Sequence, residues 1–402
     1  VVHPVKIPVV HVITLLELGG AQQNTLHTVA HLDRARFQPY LLCGPGGILD
    51  PEARQLNDVP VFFIPDLVRE IRPHRDLGAL QQLRRRIRHI RRRHPHHPAI
   101  VHTHSSKAGI LGRWAARLEG VPRVVHTFHG FGFHPQQRPW VRWAFQTAER
   151  LTGRITDRFI VVSRQNMKTA ARLGIAGESR MVLIRSGIAI EAFQDAPEGR
   201  WTARRSLGLE ADDPVVLMVA CLKPQKAPVD YVAVAHRVSE VWPQCRFLLA
   251  GDGILRPRVE EAARALGLKD RFRLLGWRRD IPQLLHASDL LVLTSRWEGL
   301  PRVLPQAMAA GLPAVVTRVD GSPEAIADGV NGFVREPGDI EGMAQAVLTL
   351  LRDPDLRRRM GTEGRRRVGE FDIHEMVRRQ EELYQQLADD GMRYENGRGG
   401  TR

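Results

Sequence analysis

Short apolar runs alternate with amphipathic stretches along most of the chain. Residues 9–13, Val-Val-His-Val-Ile, read as a buried strand that runs into Gly19-Gly20. A helical pattern then occupies residues 21–32, and a second strand is expected near residues 40–43. The rhythm repeats with strands at 100–101, 124–125, 159–162 and 181–184, with a helix over 107–118 after the first of these. Such repetition predicts βαβ units and a parallel sheet. Around residues 188–211 Gly, Asp, Pro and Glu break the pattern, as a linker would. It then restarts, with strands expected at 215–220, 246–250, 272–275, 290–293 and 314–316, each backed by a helix. The expected fold is α/β, with two successive units of parallel sheet over residues 1–195 and 196–372. In open α/β sheets ligands bind beyond the carboxyl ends of the strands, so two such sheets predict a two-part substrate. A Gly- and Arg-rich tail, 389–402, is expected to be disordered.

Composition narrows the function classes. The chain has 402 residues, 43% hydrophobic and 26% charged, which excludes a disordered or fibrous chain and suits two domains. No apolar run approaches the roughly 20 residues of a membrane-spanning helix, and nothing at the start reads as a signal peptide. Cys43, Cys221 and Cys245 have no metal or redox spacing, which places them as thiols in a reducing, cytoplasmic setting. The net charge of +15 favours polyanions, whether nucleic acid, anionic lipid or a phosphorylated substrate. From Leu77 to Leu118 there is no acidic residue, while Leu80, Leu83, Ile87 and Ile90 recur at helical spacing. A helix with one apolar stripe and Arg84, Arg85, Arg86, Arg88, Arg91, Arg92 and Arg93 around it suits either a solvated face or an anionic membrane surface. No aromatic residues interleave there to stack on bases, so no nucleic acid is expected.

Several strand ends carry candidate chemistry. Gly19 and Gly20 lie between the first strand and its helix, where free amides attract phosphate or simply make a tight turn. The spacing is neither GxGxxG nor a P-loop. His94, His96, His97, His102 and His104 cluster in sequence, but three lie in a Pro-broken loop and two alternate at a strand end, with no carboxylate at ligand spacing. No metal site is expected from them. His102 and His104 point to one side of their strand, toward a substrate. His129-Gly130 follows the strand at 124–125 and suits either a reacting group or a structural hydrogen bond. Lys223 and Lys226 follow the first strand of the second half, as phosphate ligands or solvated loop lysines. Gly251-Asp252-Gly253 makes a turn. Glu298, Gly299, Leu300, Pro301 and Arg302 lead into an apolar helix over 303–310, with Gln306 in it; the helix start offers amides, and Glu298 and Gln306 suit sugar or ribose hydroxyls or plain capping.

Taken together, Gly19-Gly20, His129-Gly130, Lys226, Gly251-Asp252-Gly253 and Glu298 resemble glycosyltransferase family 4. The segment from Glu298 through Gln306 to Gly311, followed by Asp320-Gly321, resembles that family's E-x7-E region. The resemblance runs from about residue 11 to residue 387. It implies the GT-B fold, two Rossmann-like domains facing across a cleft, with the last helix, 373–388, crossing back to the first. It implies a retaining transferase that moves a sugar from a nucleotide-sugar, UDP being the first expectation, without a metal or other cofactor. By resemblance the first domain takes the acceptor and the second the donor. His129 would lie beside the transferred sugar, Lys226 would neutralise the diphosphate, and Glu298 would contact sugar hydroxyls. Gly19 and Gly20 would close over the donor phosphates, and the amides near Gly299 to Arg302, around Leu300 and Pro301, would hold phosphate.

Two positions depart from the pattern. Cys221 stands where many members have Arg, a charge that Lys223 would replace, and Gln306 stands for the closing Glu of E-x7-E. No pair of carboxylates identifies itself as the nucleophile and acid/base of a double displacement, so front-face retention is expected. The acceptor is expected to be a glycan or polyprenyl-linked, at the inner membrane face, with Arg84–Arg93 on the lipid. A nucleotide-sugar 2-epimerase of the same fold, a sugar-binding relic and a polyanion-binding protein remain as alternatives.

Overall fold

The computed structural model describes residues 6–399 except 96, 196–198 and 269, with side chains described as far as 390. His96 therefore lies outside the described residues. The chain forms two compact units: Val1–Gly187 together with Ile373–Arg402, and Ile188–Asp372.

The first unit is built on β1 (Ile7–Leu15), β2 (Phe37–Gly44), β3 (Val61–Phe63), β4 (Ile100–His104), β5 (Arg123–Phe128), β6 (Arg158–Val161) and β7 (Met181–Leu183). All pair in parallel in the order β3-β2-β1-β4-β5-β6-β7. β1 and β4 lie at the centre with both faces covered, which is why Val9, Val10, Val12 and Ile13 of β1 and Ile100 and Val101 of β4 are apolar without alternation. The helix Pro73–Arg93 starts at a proline, whose missing N–H costs nothing in a first turn, and buries Ala79, Leu83, Ile87 and Ile90. That stripe packs with Ala108, Ala115 and Ala116 of the helix Ser106–Leu118 over Val10, Val12 and Val101. Each fully buried Leu or Ile there contributes about 1.5–3 kcal/mol.

Three sequence expectations are corrected. The edge strands Val61–Phe63 (β3) and Gly332–Arg335 (β13) escape the apolar-run reading because they are short and only partly covered. The last helix runs Ile373–Gly399 rather than ending at 388, so most of the stretch expected as a disordered tail is helical; Asp389, Asp390, Met392, Tyr394 and Glu395 tolerate helix and carry it through Gly391. Residues 400–402 lie outside the described residues. The segment 188–211 is no linker. The Ile188 amide donates to Phe371 O at 2.8 Å, the helices Glu191–Gln194 and Gly199–Ser206 form, and Leu207 and Leu209 are buried. The division therefore falls at 187/188, not at 195/196.

The second unit holds β8 (Val215–Val219), β9 (Arg246–Ala250), β10 (Phe272–Gly276), β11 (Leu290–Leu293), β12 (Ala314–Thr317) and β13 (Gly332–Arg335), parallel and ordered β10-β9-β8-β11-β12-β13. β8 and β11 are neighbours at the point where strand order reverses. Among the described residues no helix is long and apolar enough to cross a membrane.

Candidate active site

In the second unit, two loops at the carboxyl ends of β8 and β11 are stitched together. After β8 the chain turns through the short helix Pro224–Lys226 into Ala227, which is held left-handed at φ 43°. The Thr294 hydroxyl is shared between the carbonyls of Lys226 and Ala227, at 3.0 Å each, and the Arg296 amide donates to Gln225 O at 2.7 Å. These bonds fix an otherwise unfavourable backbone. Their result is a close ion pair between the Lys226 ammonium and Glu298. Ser295 Oγ donates to the same Glu298 oxygen at 2.6 Å, and Gln225 Nε2 lies 3.5 Å from the other. The Glu298 amide donates to Asp320 Oδ2 at 2.6 Å. Burial, with the Glu298 charge adding to it, pushes the Asp320 carboxyl up to about 6.

Behind the lysines, the glycine turn has a steric reason. Gly251 and Gly253 have φ of 137° and 154°, and a Cβ on them would stand 1.9 Å from Ala220 O and 2.7 Å from Leu222 O. Only glycine lets this turn press on the loop that carries Cys221 and Lys223. On the other side, Gly299 O accepts from the Gly321 amide at 2.9 Å, Leu300 and Pro301 are buried, and Arg302 caps the helix Val303–Ala310. Burial lowers the Arg302 guanidinium to about 10, still charged at neutral pH. Gln306 sits half-buried one turn into that helix. A cation, a buried carboxylate and a helix start thus share one end of one sheet, an arrangement suited to a diphosphate and the hydroxyls of an attached sugar.

In the first unit, histidines converge from the middle of β1 and the carboxyl ends of β4 and β5. His104 Nδ1 lies 3.1 Å from His129 Nε2, and His104 Nε2 lies 3.1 Å from His11 Nδ1. His102 is held between Thr127 Oγ1 at 2.7 Å and Tyr384 Oη, on the last helix, at 2.5 Å. Burial lowers His11 to about 3 and holds His102, His104 and His126 well below the usual imidazole range, so all four are neutral at pH 7. The nitrogens of His11, His102 and His104 lie within 4.8 Å of one another. Those of His102 and His104 are already engaged with side-chain partners. A cavity of about 10 Å³, on the order of one water, touches His104, His129, Asn24 and Arg185. Gly19 is the extended N-cap of the helix Gly20–His31, and that helix delivers Asn24 to this cavity.

The arginine-rich helix is less free than its sequence suggests. Arg84 and Arg88 both hold Glu119, at 2.8 and 2.7 Å, Arg91 reaches Glu119 O, and Arg86 lies over the Phe62 ring. His94 bonds the Tyr40 hydroxyl at 2.8 Å, well apart in role from His102 and His104.

Comparison with known proteins decides the family. An Escherichia coli UDP-Gal:alpha-D-GlcNAc-diphosphoundecaprenol alpha-1,3-galactosyltransferase is 33% identical over 383 residues, 94% of this chain and 97% of its own. Residues 19–187 match the Glycosyl transferase 4-like domain and residues 199–367 the family described as Glycosyl transferases group 1. The chain belongs to glycosyltransferase family 4. The putative glycosyltransferase EpsD of Bacillus subtilis is 29% identical over 72% of this chain and 77% of its own. Among solved structures, Anabaena Alr3699/HepE in complex with UDP superposes with a TM-score of 0.78 at 22% identity, covering 95% of this chain and all of that one, which places the two sheets in the GT-B fold.

In this glycosyltransferase the two sequence departures occupy ordinary positions. Cys221 is a half-buried free thiol whose carbonyl accepts from the Lys223 amide at 2.8 Å. The galactosyltransferase relative spans nearly the whole chain and favours transfer over the 2-epimerase reading. Sequence reasoning passed over Ser295, Gln225 and the role of Asp320 in the second unit, and His11, Asn24 and Tyr384 in the first. Asp320 had a signal, the Asp-Gly after the E-x7-E segment; Tyr384 had none, because its partner is far away in sequence.

Proposed function

We propose that this enzyme is a retaining transferase that moves a sugar, galactose first among candidates, from a UDP-sugar to a polyprenyl-diphosphate-linked saccharide in cell-surface glycan synthesis. The observation that carries it is the Lys226–Glu298 pair beside the start of the helix Val303–Ala310. It is supported by the named activity of the galactosyltransferase relative. Lys226, helped by Lys223 and the amides of Gly299, Leu300 and Arg302, neutralises the diphosphate as its bond to the sugar breaks. Glu298 and Gln306 hold sugar and ribose hydroxyls. His129 lies against the transferred sugar, and Gly19 and Gly20 close on the phosphates. Negative charge grows on the leaving group in the transition state, so a fixed cation there lowers the barrier. In front-face transfer the departing phosphate oxygen takes the acceptor proton, and no metal is required. The work is done at an anionic membrane surface on the cytoplasmic side.

Thermal unfolding with UDP, GDP and ADP, each with and without EDTA, tests the donor class. UDP at 100 times its dissociation constant should add about 2.7 kcal/mol, unmoved by EDTA. Transfer from UDP-galactose to N-acetylglucosamine-diphosphoundecaprenol tests the acceptor. A glycosyl adduct trapped on Asp or Glu would overturn the front-face mechanism.

A further inference from the structure

The helix Pro139–Gly153 carries its apolar residues on the wrong side for a core. Trp140 and Trp143 are 65% and 64% exposed, and Leu151, two turns on, is 48% exposed. Ala144 and Thr147 fill the same outward face at helical spacing. Trp114 Nε1 donates to Thr152 Oγ1 at 3.2 Å, so the outward ridge of the helix Ser106–Leu118, with Trp114 and the exposed Leu118, lies alongside. Monomeric proteins rarely leave such a patch bare, and tryptophans gathered at its surface favour the water–lipid boundary.

Charge selects the occupant. Between residues 106 and 156 the only acids are Glu119 and Glu149. Glu149 is buried in an ion pair with Arg113 at 2.7 Å, and Glu119 is held by Arg84 and Arg88. Arg117, Arg138 and Arg154 are therefore exposed with no unpaired acid from residues 106–156 to oppose them. The inner face of the same helix places Phe145 at a cavity of about 330 Å³, also lined by Thr14, Arg69, Ser105 and Lys107.

We propose that the outward face of Pro139–Gly153, with the Trp114–Leu118 ridge, seats the first unit on an anionic bilayer, tryptophans at headgroup depth and arginines on lipid phosphates. Its inner face then opens the 330 Å³ cavity to the head of a lipid-linked acceptor. This rests on the lipid-linked acceptor proposed above. It assigns the contact to this face rather than to the helix Pro73–Arg93, whose arginines are partly spent on Glu119.

The test is flotation of the full chain with vesicles of phosphatidylglycerol and phosphatidylethanolamine in equal amounts, against phosphatidylcholine alone. The wild type should float with the anionic vesicles, with a blue shift of Trp emission. Trp140→Ser with Trp143→Ser should weaken this about tenfold or more. Arg138→Gln should weaken it roughly fivefold at low salt, and Arg85→Gln with Arg92→Gln far less. The Trp variant should keep its melting temperature and its transfer to a water-soluble acceptor. Flotation unmoved by the Trp changes, or a wild type that ignores anionic vesicles, overturns the proposal. So does a wild-type dimer that the Trp changes dissolve. Transfer to the lipid acceptor in detergent without any flotation would leave the transferase reading standing and remove this one; flotation without transfer would do the reverse.

Discussion

His104 stands between two other imidazoles, its Nε2 3.1 Å from His11 and its Nδ1 3.1 Å from His129. A neutral imidazole has one proton, so the chain must run in a single direction. His11 Nε2 and His129 Nδ1 are the two outer ends of that chain, and one of them carries the outer N–H. The His104 proton points to His129 in one direction and to His11 in the other, so the three tautomers are coupled. Long-range nitrogen–proton NMR should find His129 held in one tautomer. His104→Phe should release it, lowering kcat about tenfold with little change in the donor KM. An unchanged His129 tautomer in the variant refutes the chain.

The same histidines set the acid limit of the first unit. His11 titrates near 3 when folded and near 6.5 when unfolded. Between those values the unfolded chain binds the extra proton, so stability is full above 6.5 and falls as pH drops below it. At pH 5 His11 alone should cost about 2 kcal/mol, with His102, His104 and His126 adding in the same direction. Melting temperatures from pH 8 to pH 5 should fall, and His11→Phe should flatten the slope.

Lys226 and Glu298 can be separated into stability and catalysis. Lys226→Ala strands a carboxylate whose side chain is 5% exposed, at a cost of up to about 3 kcal/mol. Adding Glu298→Gln should restore most of the melting temperature. Turnover should stay about a hundredfold down in both, because the cation proposed for the leaving group is gone. Recovery of turnover in the double variant would make Lys226 only a partner for Glu298.

How much of this was legible in the sequence depends on range. The strands β8 to β12 and the helix Val303–Ala310 could be read directly, because buried parallel strands and an apolar helix ended by Gly311 carry their signal locally. So could the places of Lys226 and Glu298, in the loops after β8 and β11. Tertiary partnership could not. The arginine-rich helix looked open to solvent or lipid until Glu119, from the next turn of the chain, was found to hold two of its residues. Ile188 reads as a linker residue because its partner, Phe371, lies at the far end of the unit.

Asp320 has a left-handed backbone, φ 41°, and its carboxylate caps the Glu298 amide. Asn can do both; Ala can do neither. The folded Asp320 keeps its proton up to about 6 while the unfolded one loses it above 3.8, so stability falls as pH rises across that window. Asp320→Asn should therefore melt at or above the wild type at pH 8, the advantage shrinking toward pH 4. Asp320→Ala should lose about 1–3 kcal/mol at every pH. Equal melting of the two variants would remove the capping role.

The last helix gives the first unit an unusual schedule. Tyr384 bonds His102, Glu381 holds Arg36 and the amide of Asp33, and Leu387 O takes Arg123, yet a whole second unit is encoded before any of them. On the ribosome the strands made first must wait, with His102 unclasped, until residues beyond 372 emerge. The second unit has no such wait and can finish while its predecessor is still open. The order of completion is then the reverse of the order of synthesis, and a chain cut short after the second unit would leave the first without its clasp.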